Sequence, residues 1–83
     1  MKTANTKMLD IALFADKGKG WKKLSTYDSA VADNDDKELG KAFAHFRKQA
    51  QMWSNNCTAF ALAQFAIFTS PHGRDDFKLL RRI

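Results

Sequence analysis

Cysteine occurs once, at Cys57, so an intramolecular disulfide is excluded and the default compartment is one where thiols stay reduced, the cytoplasm. Histidine occurs twice, at His45 and His72, and neither these nor Cys57 stands in CxxC or HxxxH spacing. A zinc site needs three or four nitrogen and sulfur ligands, so no metal or cofactor is expected. The longest predominantly apolar run, Cys57 to Phe68, has 12 residues, whereas a spanning helix needs about 20, so no membrane partner is expected. Near the N-terminus Asp10 interrupts the stretch Met8 to Ala15, and Asp16-Lys17 stands where a signal peptide would have a small-residue cleavage site. The phosphate-loop pattern GxxxxGK[ST] is missing, although Lys17-Gly18-Lys19-Gly20 superficially resembles one.

Charge is missing from one long stretch: Gln49 to Gly73 contains no Asp, Glu, Lys or Arg, although 28% of the chain is charged. The inner part of that stretch, Cys57 to Phe68, is apolar on every side of a helix, which implies a helix enclosed by other elements or by a second chain. With 83 residues the protein is expected to form one domain, and its seven Phe and two Trp supply much apolar area per residue. If the chain cannot cover its own core, a homodimer would do so.

The net charge of +5 is unevenly placed. Residues 1 to 27 carry six Lys and two Asp, residues 28 to 38 five acids and Lys37, and residues 41 to 83 seven basic groups with Asp75 and Asp76. This basic, acidic, basic order favours separated positive surfaces.

Local signals predict an all-α protein, a small bundle of four or five helices around a central helix at about residues 36–69. A first helix through Met8, Leu9, Ile11, Ala12, Leu13, Phe14 and Ala15 would be capped by Asn5 or Thr6 and stopped at Gly18. Ser25 and Asp28 form a capping pattern for a short second helix with Tyr27, Ala30 and Val31 on one side. Asp35 and Glu38 repeat the signal before the strongest periodicity: Leu39, Phe43, Phe46, Ala50, Trp53, Cys57 and Phe60, in steps of four and three. The weak helix formers Ser54-Asn55-Asn56 leave that helix either continuous or broken in two. Ser70-Pro71-His72-Gly73 reads as a turn, and a last helix would dock Phe77, Leu80 and Ile83 on the core.

Catalytic groups are sparse, and no enzyme is expected. Cys57 has uncharged sequence neighbours and lies on the apolar seam, where a thiol is inert. The acids Asp33, Asp35, Asp36 and Glu38 suit a helix N-terminus better than a metal loop, which would require a turning glycine. Binding remains. Lys37, Lys41, His45 and Lys48 recur at helical spacing opposite Leu39, Phe43, Phe46 and Ala50, over roughly 16 Å at ~1.5 Å per residue. A second basic cluster, Lys17, Lys19, Lys22 and Lys23, surrounds Trp21, whose ring could stack on a base or pack on the core. Arg81 and Arg82 belong to a third cluster able to make bidentate contacts. A helix-turn-helix is disfavoured, since Asp35, Asp36 and Glu38 would meet phosphates.

These features favour a non-catalytic regulatory or inhibitory protein that binds a macromolecule, with a nucleic acid or a nucleic-acid-handling complex foremost. The competing class is a protein-binding adaptor or inhibitor without nucleic-acid contact, using Trp53, Phe60, Phe65 or Phe68 as an apolar aromatic interface. Phages and plasmids use small proteins of this second kind to block host machinery.

Overall fold

The computed structural model describes residues 7–83 and is a mixed α/β structure, in which one helix packs against a five-stranded antiparallel sheet. Its elements are β1 (Met8–Asp16), β2 (Trp21–Thr26), β3 (Val31–Ala32), α1 (Asp36–Asn56), a 3₁₀ turn (Thr58–Phe60), β4 (Gln64–Pro71) and β5 (Lys78–Arg82). The sheet order is β2-β1-β4-β5, and the short β3 continues the β2 edge by pairing Val31 and Ala32 with Leu9 and Met8.

This overturns the all-α bundle. Three of its helices are strands or turns: Met8 to Ala15 forms β1, Tyr27 to Val31 leads into β3, and the segment after Gly73 forms β5. The central helix is real but ends at Asn56, and the apolar residues after it form β4. The proposed caps at Asn5 and Thr6 lie outside the described residues.

A run that is apolar on every side suits two environments, an enclosed helix and a strand buried on both faces. In β1, Ile11, Ala12 and Leu13 are buried consecutively, and in β4 Phe65, Ala66, Ile67 and Phe68 are. Because neighbours on a strand point to opposite faces, these residues fill both sides of the sheet at once. The distribution of charge sorts centre from edge. Between Ile11 and Ala15 and between Phe65 and Ser70 there is no charged residue, whereas the outer strands carry Lys22 and Lys23 or Lys78, Arg81 and Arg82. Each outer strand also holds one extra residue, Leu24 in β2 and Leu80 in β5, where the register shifts. Such bulges twist an edge and discourage further pairing.

Helix α1 begins where the capping signal predicts. Asp35 is its N-cap, with the carboxylate accepting from Glu38 N–H at 3.2 Å. Ala42, Phe46 and Ala50 are buried against Ile11, Leu13, Ala15, Val31, Phe65 and Ile67, and Leu39, Phe43 and Trp53 flank them. Beyond Ser54-Asn55-Asn56 the helix stops, and Cys57 takes an extended conformation with φ −132° and ψ 111°.

Two aspartates hold opposite ends of the sheet. Asp16 accepts from the N–H groups of Gly18 (2.6 Å) and Gly20 (3.1 Å), both at positive φ, and so shapes the tip of the β1–β2 hairpin. At the other end Asp10 accepts from His72 Nδ1 at 2.8 Å and Gly73 N–H at 3.1 Å, tying β1 to the turn after β4. Ser70, 1% exposed, donates to Arg74 O at 2.7 Å and accepts from Asp76 N–H at 3.0 Å, which positions the β4–β5 connection.

Candidate functional site

The sheet has two unlike faces. Residues 11, 13 and 15 of β1 and residues 65 and 67 of β4 look toward α1, so residues 12, 14, 66 and 68 look the other way. No helix covers that second face among the described residues, and aromatic rings cover it instead. Phe14 stacks on Phe68 with centroids 4.1 Å apart, Phe77 lies 5.6 Å from Phe14, and Trp21 meets Phe68 edge-on at 5.5 Å. Beneath these rings Ala12 and Ala66 are fully buried, and small residues there let the rings lie close to the backbone.

Three strands and one loop build this cluster. Phe14 and Phe68 come from the central strands, Trp21 from the first position of β2 opposite Asp16, and Phe77 from the residue before β5. Leu79, 45% exposed and paired with Phe68, extends the apolar surface toward the sheet edge. Phe14, Trp21 and Phe77 remain half-buried, so each offers part of a ring to solvent. Cations flank them: Lys23 Nζ is 5.0 Å from the Phe77 ring centre, and the Arg82 guanidinium is 5.8 Å from that of Trp21 and bonded to Gln64 at 3.3 Å.

The residues singled out in the sequence fall in several places. Lys37, Lys41, His45 and Lys48 are exposed on the side of α1 turned from the sheet, with Lys41 paired to Glu38 at 3.4 Å and His45 against Tyr27. Lys19 and Lys22 lie at the hairpin tip on the helix side, near Phe60, whereas Lys23 and Trp21 belong to the open face. Arg81 reaches over Phe43 at 5.2 Å, and Arg82 flanks Trp21.

The nucleic-acid reading is therefore corrected. It rested on three basic clusters, a stripe on the central helix, a group around Trp21 and a group in the last segment. These fall on the outer side of α1, at the hairpin tip, and on both faces of the sheet, with Arg81 toward the helix and Lys23 and Arg82 on the open face. Lys23, Arg81 and Arg82 lie over the protein's own rings.

Of the aromatic residues considered for an interface, Phe68 belongs to the open face. Phe65 is buried on the other side, where Trp53 and Phe60 form their own edge contact at 5.0 Å. Phe14, Phe77 and Leu79 were missed. The available signal was short apolar runs bounded by glycines on one side and by Pro71 and Gly73 on the other, a strand signature.

The Asp10 carboxyl is held below the ordinary value of 3.8 by its hydrogen bond with His72, with a further contribution from Gly73 N–H, while partial burial opposes both. No helix among the described residues is long and apolar enough to cross a membrane. Comparison with protein-family models, curated proteins and solved structures finds no match to this chain.

Proposed function

We propose that this protein is a non-catalytic binding module, an adaptor or inhibitor, that grips a protein partner with the open aromatic face of its sheet. The observation that carries this reading is the half-exposed cluster of Phe14, Trp21 and Phe77 around Phe68, on the face that α1 leaves bare. Aromatic side chains and Arg are the groups enriched in protein interfaces, and they dominate binding energy where a partner excludes water. Trp21 with Arg82 beside it supplies such a pair at one side of the face, and Leu79 widens the apolar area at the sheet edge. A cytoplasmic setting, in which Cys57 stays a free thiol, fits this role.

A pull-down from nuclease-treated native lysate tests the reading, with a Trp21→Ser/Phe77→Ser double variant beside the parent. The expected result is a protein captured by the parent, unaffected by nuclease and absent from the variant, while circular dichroism shows that the variant is folded. Equal capture by the folded variant would reject this face as the interface.

A further inference from the structure

We propose that the cleft between the β1–β2 hairpin tip and the 3₁₀ turn receives a glutamate and an adjacent apolar side chain from an acidic segment of the protein partner. This inference rests on the reading of the open face as a protein interface and adds an electrostatic anchor on the other side of the same hairpin. The cleft has a volume of about 500 Å³, with Ala15, Leu24 and Phe60 as its apolar lining and Lys17, Lys19 and Lys22 around them. Lys23 also borders it, but its ammonium turns away to Phe77 on the open face.

Three lysines of one short hairpin thus border the cleft. None of them has a carboxylate within 4.0 Å among the described residues, where the ion pairs are Lys41–Glu38 and His72–Asp10. The hairpin's own acid, Asp16, is engaged by the N–H groups of Gly18 and Gly20. Like charges held together around a low-dielectric wall focus a positive potential into the cleft, and an entering carboxylate relieves their repulsion.

The lining adds a second requirement. Lys17 Nζ lies 4.8 Å from the centre of the Phe60 ring, so an anion beside Lys17 also meets an aromatic surface. A bare inorganic anion would leave that surface uncovered. A glutamate next to a leucine or phenylalanine satisfies both the charge and the apolar lining. Trp21 starts the strand that leaves this hairpin, so a chain segment lying on the open face can turn around the tip and place an acidic residue in the cleft.

The test is an NMR titration of the whole ¹⁵N-labelled protein with the capped pentapeptide Glu-Leu-Glu-Phe-Glu, its Gln-for-Glu counterpart, and hexanoate as a free organic acid. The expected result is saturable movement of the Ala15, Leu24 and Phe60 amides with the acidic peptide and little with the other two. Lys17→Ser/Lys19→Ser/Lys22→Ser should weaken that binding by at least about tenfold. Lys37→Ser/Lys41→Ser/Lys48→Ser, which loses the same charge elsewhere, should leave it within about twofold. Equal weakening by both triple variants would reduce the effect to net charge and overturn the proposal. Shifts confined to the Phe14, Phe68 and Phe77 amides, unchanged by the hairpin variant, would overturn the cleft while leaving the aromatic interface standing. Hexanoate binding as tightly as the peptide would assign the cleft to a free acid instead. Sedimentation of the unliganded protein over a dilution series completes the test: a dimer abolished by the hairpin variant would assign the cleft to a second copy of the chain.

Discussion

The two faces of the sheet are built from alternate residues of the same two strands, yet they are finished in different ways. Toward α1, the side chains of Ile11, Leu13 and Ile67 meet Ala42, Phe46 and Ala50, and these six are at most 3% exposed. On the other face the strands contribute alanines, Ala12 and Ala66, and the covering layer is a set of rings that stay partly in water. The first arrangement is complete within the chain, whereas the second ends in an apolar aromatic surface. The difference separates side chains enclosed by the fold, Phe68 among them, from the half-exposed Phe14, Trp21 and Phe77, whose outer parts can change with a smaller cavity.

Phe46→Ala should have the largest effect. Phe46 is fully buried between helix and sheet, so truncation should cost about 3 to 5 kcal/mol, read as a lower denaturation midpoint in urea. Phe68→Ala should cost less, about 2 to 3 kcal/mol, because Phe68 is 8% exposed and its partners Phe14 and Trp21 can move into the space. Equal costs for the two would mean that the open face is as tightly packed as the covered one, which would break the contrast. Trp21→Ser should cost less than about 1.5 kcal/mol in the same urea series, because the ring lies at the margin of the cluster. A cost as large as that of Phe46→Ala would make Trp21 a core residue instead of an interface residue.

The smallest effect should come from Asp10→Asn. The folded carboxyl has a lowered pKa, so its contribution is present in full at pH 7, persists as long as the carboxylate stays ionised, and declines as the pH falls below the ordinary 3.8. Parent and variant should therefore differ by less than about 1 kcal/mol at pH 7 and converge in acid. A difference that grew as the pH fell below 3.8 would reverse the assigned direction.

Legibility differed from one part of the chain to another for a physical reason. The spacing of Leu39, Phe43, Phe46, Ala50 and Trp53 places all five on one side of a helix, and that side packs on the sheet. The turn expected at Ser70 to Gly73 was readable in part: Ser70 and Pro71 end β4, and the reversal follows at His72-Gly73, where Arg74 N–H donates to Pro71 O at 3.0 Å. The strands were not readable in this way. Ile11-Ala12-Leu13-Phe14-Ala15 has no polar residue to mark a period of two, and neither does Phe65-Ala66-Ile67-Phe68. The candidate site inherited that ambiguity: Lys23, Trp21 and Arg82 were found as charged and aromatic clusters, but their common face depended on strands, of which β1, β4 and β5 read as helices and Trp21 to Leu24 as no element at all.

What the sequence by itself determined was therefore local: the cap at Asp35, the helix from Asp36, the positive φ of Gly18 and Gly20 and the chain reversal just after Pro71. Each depends on groups a few residues apart, whose hydrogen bonding and steric limits act wherever the segment lies. Only the tertiary structure decided that Met8 to Asp16 and Gln64 to Pro71 pair side by side, because a strand's backbone hydrogen bonds are made by a distant partner. That pairing in turn decided which rings point away from the helix. It set Phe14 from the first strand upon Phe68 from the fourth, across 54 residues of chain, and so created a surface that no stretch of the sequence contains.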